Sequence, residues 1–148
     1  MIRKILLLSI SVFFLFNLFI VSAKSSTSIE LFDIEKNEVI KVIPTNPKIQ
    51  LEAEKIINEV DNIVKKLKPI PDKGYMIKIP LESSLLLENQ WVYARIDEVI
   101  IIIPEVEKPI VPEDETPYLL IFDDENKSYF LTFKTKIDTL LNTLDFSL

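Results

Sequence analysis

The chain of 148 residues contains no cysteine and no histidine. Without cysteine it has no disulfide framework, no thiolate nucleophile and no cysteine-based metal site. Without histidine it lacks the usual general base near neutral pH and the commonest zinc ligand. A single glycine also excludes the glycine-rich loops that bind phosphate. Only carboxylates, serine–lysine pairs and oxygen-ligated metals remain, so we predict a protein that is not an enzyme and carries no cofactor.

The composition is that of a folded acidic domain. Hydrophobic residues make up 48% of the chain and charged residues 27%, and the length suits one domain better than two. The formal net charge is -6, and removal of residues 1–23 would leave 15 basic against 23 acidic residues, or -8. This charge opposes binding to nucleic acid and to anionic membrane surfaces. We therefore predict no nucleic-acid partner.

Residues 1–23 have the three-part plan of a secretory signal. Two cations precede an apolar stretch of 16 residues, Ile5 to Ile20, and Val21-Ser22-Ala23 provides the small residues that signal peptidase requires. We predict cleavage after Ala23 and an extracytoplasmic domain at residues 24–148. The alternative is an uncleaved N-terminal membrane anchor, since the stretch is long for a signal and short for a membrane span. In both cases the protein contacts the membrane at most through residues 1–23, and the rest lies outside.

Residues 45–69 carry the strongest helical pattern. Thr45 or Asn46 can cap a helix, Pro47 suits its first turn, and Pro69 would end it. Between these ends, apolar residues recur at spacings of three and four. They are Ile49, Ala53, Ile56, Ile57, Val60, Ile63, Val64 and Leu67. The pattern predicts one long amphipathic helix with a solvated back.

Strand patterns surround this helix. Alternating apolar residues predict two hairpins, with turns at residues 35–38 and 123–127. A short strand begins at Tyr75, and Pro80 should end it or confine it to a sheet edge. Ile137, Leu140, Leu141 and Leu144 predict a short C-terminal helix. Together these elements predict a single α+β domain, a mostly antiparallel sheet with one long amphipathic helix and a short C-terminal helix.

The stretch "DEVIIIIPE", Asp97 to Glu105, holds four consecutive isoleucines behind a valine. A strand that is apolar on both faces is typical of a central strand covered on both sides, and we favour that interpretation. The alternative is an exposed edge meant for a partner.

Two groups of residues are candidates for binding. Trp91 and Tyr93 have the same strand parity and could form an aromatic platform for a sugar or peptide. Asp123, Asp124 and Asn126 offer oxygen ligands for calcium, but a hairpin turn made of turn-favouring residues explains them more simply. The acidic connector at residues 105–116 and a free sheet edge are further partner surfaces.

At "IPDKGYMIKIPLE", "QWVYARIDEVIIIIPE" and "PYLLIFDDEN" the chain resembles uncharacterised small exported proteins of spore-forming Gram-positive bacteria. The resemblance implies a bacterial envelope location and brings no activity and no functional residues. The sequence thus predicts an exported, non-enzymatic accessory or binding module of the envelope, with an envelope protein or wall component as partner. The alternatives are a carboxylate-dependent hydrolase of wall polysaccharide and a self-assembling structural component of an envelope or coat.

Overall fold

The computed structural model describes residues 27–107 and 116–148. The predicted signal or anchor at residues 1–23 and most of the acidic connector lie outside these residues. Seven strands of the described chain form one antiparallel sheet in the order β2-β1-β4-β5-β6-β7-β3. The elements are β1 (Ser28–Asp33), β2 (Glu38–Pro44), α1 (Pro47–Asn58), β3 (Val60–Ile63), β4 (Gly74–Glu88), β5 (Tyr93–Pro104), β6 (Tyr118–Phe122), β7 (Ser128–Phe133) and α2 (Asp138–Thr143). No helix in the described ranges is long and apolar enough to cross a membrane.

Both predicted hairpins are present. β1 pairs with β2 and β6 pairs with β7, both antiparallel, and the β1–β2 ladder has one register shift between Leu31 and Phe32. Their turns contain Asn37 at φ 55° and Asn126 at φ 61°. Asparagine tolerates this left-handed conformation better than most residues, which explains why these segments turn where they do.

The isoleucine run lies in β5, the fourth of the seven strands, and pairs with both β4 and β6. Ile101 and Ile103 face the large core beneath the helices. Ile102 faces a smaller cluster on the opposite side, where Ile100 also packs. The prediction of a central strand is therefore confirmed, and this run is not an exposed edge.

Both helices pack on one face of the sheet. α1 buries its apolar stripe completely, and α2 buries Leu140 and Leu141. The stripe of α1 consists of Ile49, Ala53, Ile56 and Ile57. Complete burial of an isoleucine side chain contributes about 1.5–3 kcal/mol, so the stripe is a large part of what holds α1 to the sheet. Asn46 caps α1 by accepting the main-chain N–H of Ile49 at 3.1 Å.

The prediction of one long amphipathic helix is wrong. α1 has 12 residues, α2 has six, and the described molecule is mostly antiparallel sheet with two short helices. The chain leaves the helix after Asn58 and pairs with β7 as β3. Val60 and Ile63 are β-branched and therefore suit a strand. The edge of β7 supplies main-chain hydrogen bonds for this strand, in place of the bonds that a longer helix would have made. Leu67, assigned to the apolar stripe, is fully exposed.

The prediction that Pro80 ends its strand is wrong, but the pairing of β4 with β1 stops at Lys78, so Pro80 does lie at a local edge. β4 runs for 15 residues through Pro80 and is an interior strand. The ladder to β5 shifts register between Pro80 and Leu85. Because Pro80 has the same strand parity as Gly74, whose carbonyl accepts the Ile34 N–H, its nitrogen points to the β1 side, where a missing N–H breaks no ladder bond. Gln50 of α1 compensates there: its Nε2 donates to the Pro80 carbonyl at 2.9 Å, and its Oε1 accepts the Glu82 N–H at 3.0 Å. The irregular part of β4 is thereby tied to the helix.

Gly74, the single glycine of the chain, begins β4 at φ +124°. A Cβ at this position would lie 2.1 Å from the carbonyl oxygen of Ile103. The close pairing of β4 with the end of β5 therefore requires glycine both for its backbone conformation and for the missing side chain.

Candidate functional site

The structure separates the two residues of the predicted aromatic platform. Trp91 lies in the loop before β5, where the Asn89 Oδ1 accepts its N–H at 2.9 Å, and its side chain packs partly against the large core. Tyr93 begins β5 with 73% of its surface exposed. In the described residues the rings in contact are Tyr75 and Phe146, with centroids 5.0 Å apart, not Trp91 and Tyr93. Tyr93 is thus presented to solvent, whereas Trp91 is half-buried.

Asp123 of the calcium candidates is committed to its own hairpin turn. Its Oδ1 accepts the N–H groups of Lys127 at 2.8 Å and Glu125 at 2.9 Å. Its Oδ2 accepts the hydroxyl of Tyr129 at 3.0 Å. These bonds, above all that from the Lys127 main chain, hold the pKa of Asp123 below its usual value. Asp123 thus braces the turn through both carboxylate oxygens.

The other two calcium candidates, Asp124 and Asn126, are exposed on the same turn. Within residues 27–107 and 116–148, no group of three acidic side chains comes together in a way that could hold a metal ion. The geometry of the turn is that of a hairpin connection, which matches the simpler of the two interpretations.

The sheet edge formed by β2 is open in the described chain. No described strand lies beyond β2, and its apolar side chains are unusually exposed: Val39 by 47%, Ile40 by 41% and Val42 by 61%. A terminal strand with exposed apolar side chains is a template for another extended chain. We call the outer side of β2 the β2 edge.

The direction of the main-chain groups on β2 follows from one hydrogen bond. The N–H of Thr45 donates to the carbonyl of Thr27 at 3.2 Å, next to the pair of Ser28 with Pro44. Antiparallel ladders alternate between residues that bond across the pair and residues that do not. The N–H and C=O of Val42 therefore point away from β1, toward the open side.

A lysine that points outward often protects an edge strand, but the lysine of β2 points toward α2. The ammonium of Lys41 donates to the carbonyl oxygens of Leu144 at 2.9 Å and Asp145 at 2.8 Å, at the end of α2. This contact favours the helix terminus, but it removes the charge from the strand edge. Both edge ladders contain a register shift, but β3, at the opposite edge, has only four residues against seven in β2 and carries Asp61 and Asn62. The β2 edge is thus the more open of the two.

Beside the β2 edge, charges alternate across the sheet face opposite the helices. The ammonium of Lys78 lies 3.4 Å from a Glu30 carboxylate oxygen and 3.8 Å from one of Glu98. Phe32 and Met76 form the next cross-strand pair on the same face after Glu30 and Lys78, and both are half-buried. This face is therefore partly apolar and partly charged next to the open strand.

A cleft of about 790 Å³ opens at one end of the sheet. Its walls are the start of β4, the end of β5, the segment just before β6, the end of β7, the start of α2 and Leu148. Glu105 and Thr116, near the two ends of the acidic connector, lie at this cleft. Sequence reasoning singled out the connector but missed the cleft, because its walls come from segments that are far apart in the chain.

No family model matches this chain, and neither a curated protein nor a solved structure matches it significantly. The resemblance to small exported proteins of spore-forming bacteria therefore stays a prediction.

Proposed function

We propose that this protein is an exported, non-enzymatic accessory module of a bacterial envelope, which captures an extended segment of a partner protein along the β2 edge. The observation that carries the proposal is the outward-facing main chain of Val42, with its side chain 61% exposed, on the terminal strand of the described sheet. Main-chain hydrogen bonds to the added strand supply affinity, and alternate side chains supply specificity.

The surroundings of the β2 edge support an apolar extended partner. Val39 and Ile40 extend the exposed apolar surface along the strand. Phe32 and Met76 continue it onto the adjoining sheet face. A partner strand with apolar residues at alternate positions would cover this surface while it satisfies the free N–H and C=O of Val42.

The test places a photoreactive amino acid at Ile40 in the full-length protein and identifies the chain that becomes cross-linked in the producing cells. Two variants at Val42 are then compared. Val42→Pro removes the outward N–H that strand addition needs, whereas Val42→Thr keeps the N–H and suits a strand equally well. We expect Val42→Pro to reduce the cross-linked product about tenfold and Val42→Thr to retain it.

Circular dichroism and the urea midpoint of both variants control for folding. Equal cross-linking by Val42→Pro and Val42→Thr, with both variants folded, would show that main-chain pairing at this edge is not the mode of binding. Absence of any cross-linked chain in the wild type would remove the protein-partner proposal altogether.

Cross-linking to a second copy of this chain would support the self-assembly alternative instead. An edge formed by the isoleucine run is closed to self-association, because β5 has a neighbour on each side. Self-association would have to use the β2 edge. Sedimentation at increasing protein concentration, with Val42→Pro as the control, distinguishes a dimer of this kind from a monomer.

The hydrolase alternative requires two carboxyl groups about 5–10 Å apart in one cleft. The carboxylates of Glu30 and Glu98 both lie within 4 Å of the Lys78 ammonium, but they lie on an open sheet face. Because a general acid works from a site that excludes water, this arrangement favours a charge ladder over a catalytic pair. Glu105 and Asp138 line the same cleft at the end of the sheet and are the second pair to test. Release of soluble sugar from purified wall by the wild type, lost in Glu30→Gln and Glu98→Gln or in Glu105→Gln and Asp138→Asn, would support the hydrolase.

A further inference from the structure

The cleft at the end of the sheet has an apolar floor that belongs to the main core. Ile103, Phe133 and Leu141 line it and keep 4%, 7% and 8% exposure, whereas Ile101 and Leu119 in the same core have none. The core thus reaches the surface at this cleft. An aliphatic group placed there would remove apolar surface from water at little cost in protein rearrangement.

Two lysines stand directly beside this floor. Lys134 follows Phe133 and Lys136 precedes Ile137, and all four residues line the cleft. Both lysines are exposed, and neither forms an ion pair with any residue of the described ranges. Lysine side chains can lay their aliphatic stems along an apolar surface while the ammonium stays at the rim.

Glu105 and Asp138 also line the cleft, so its rim carries charges of both signs. Their side chains have one or two methylene groups against four in lysine, so a lysine stem can cover more apolar surface. The two ammonium groups are therefore better placed to meet the polar end of a molecule whose body fills the floor. A cationic head group would depend on the two acids instead, which makes the sign of the head group a direct test.

We propose that this cleft binds an amphipathic carboxylate, a molecule with an aliphatic body and one anionic head, with Lys134 and Lys136 at the head and Ile103, Phe133 and Leu141 at the body. The cleft volume of about 790 Å³ lies in the range of small-molecule sites, about 300–1,000 Å³. The site is separate from the β2 edge and does not depend on the strand-addition proposal.

The test measures binding of decanoate, below the concentration at which it forms micelles, to the protein in the form that producing cells yield. Isothermal titration calorimetry compares it with decyltrimethylammonium, which has the same tail and the opposite charge. We expect saturable binding of decanoate at one site, about tenfold tighter than that of the ammonium probe. Replacement of both lysines, Lys134→Gln with Lys136→Gln, should weaken decanoate binding about tenfold.

The matched control is Lys48→Gln with Lys55→Gln, which makes the same change in net charge on the exposed side of α1. It should leave decanoate binding unchanged. A third variant, Thr135→Trp, places a large ring at a half-buried position of the cleft wall and should abolish binding of the tail.

Three results would each overturn the proposal. They are no saturable binding of decanoate, equal or tighter binding of the ammonium probe, and equal loss of binding in the cleft and control lysine pairs. Unchanged binding by Thr135→Trp, with the fold intact by circular dichroism, would place the ligand elsewhere and overturn it as well.

Discussion

The hydroxyl of Tyr118 donates a hydrogen bond to the main-chain carbonyl of Pro69, 49 positions earlier in the chain. This bond fastens the segment after β3 over the sheet face opposite the helices. Val64 packs there against the smaller core cluster, and the Lys66 ammonium lies 5.4 Å from the centre of the Tyr118 ring. The part of the second face around Tyr118 is thus covered by a segment that includes Val64, which the helical pattern had placed on the first face.

The ionisation of Tyr118 should couple to stability at high pH. Burial raises the pKa of Tyr118 from 10.0 to about 12, because it disfavours the phenolate. The unfolded chain then releases this proton at lower pH than the folded chain, so stability is full below pH 10 and falls as pH rises from about 10 to 12. Near-ultraviolet absorbance should show one of the four tyrosines ionising late. If Tyr118→Phe still shows the late-ionising tyrosine and has lost one that ionises near pH 10, the assignment to Tyr118 is contradicted.

Gly74→Ala should be among the most destabilising single changes in the described domain. The Cβ would meet the Ile103 carbonyl oxygen at 2.1 Å, at a backbone φ of +124° that alanine rarely adopts. Backbone strain and steric displacement together should cost about 3–5 kcal/mol. Urea unfolding gives the difference, with Ser84→Ala, exposed on the same strand, as a control expected to stay within about 0.5 kcal/mol. Similar urea midpoints for Gly74→Ala and Ser84→Ala would show that the backbone at Gly74 does not lie this close to the Ile103 carbonyl.

Gln50→Ala should loosen the irregular part of β4. It removes the donor to the Pro80 carbonyl and the acceptor of the Glu82 N–H, and we expect a cost of about 1–3 kcal/mol. Glu54→Ala, exposed on the same helix, is the matched control and should change stability by less than about 0.5 kcal/mol. Hydrogen exchange should also quicken at Glu82 in Gln50→Ala alone. Unaltered exchange at Glu82 would show that Gln50 does not hold this segment.

Asp33 should contribute to acid sensitivity. Its Oδ2 accepts the Lys36 ammonium at 2.7 Å and its Oδ1 accepts the Lys36 N–H at 3.0 Å, and these bonds hold the pKa of Asp33 below 3.8. A lowered carboxyl pKa stabilises the fold above the unfolded pKa and loses that contribution as pH falls through the folded one. The difference in urea midpoint between wild type and Asp33→Asn should therefore be largest near neutral pH and shrink toward about pH 3. A difference that is constant with pH would assign the effect to shape and not to charge.

Local patterns predicted the parts of the fold that depend on neighbouring residues. The turns at Asn37 and Asn126 and the burial of Ile102 on a two-sided strand follow from turn chemistry and from the length of the apolar run. They needed no knowledge of distant segments.

The end of α1 was not predictable from local pattern. Val60 and Val64 continue the helical spacing, but in the folded chain they pack on opposite faces of the sheet. The deciding factor is β7, which lies about 70 positions later and offers an edge for pairing. The cleft was missed for the same reason, since Ile103, Phe133 and Leu141 come together only when the sheet is complete.

The pairing of β3 with β7 also bears on the order of folding. β1–β2, β4–β5 and β6–β7 are hairpins that can close within their own stretch of chain, whereas Asn62 must find Thr132 across most of the domain. Contacts of such sequence separation form slowly, so we expect β3 to dock last. Until then residues 59–67 have no strand partner, and the spacing of their apolar residues favours continuation of α1. We therefore expect a chain interrupted before β7 to extend α1, and the complete chain to form its native strand by unwinding that extra turn.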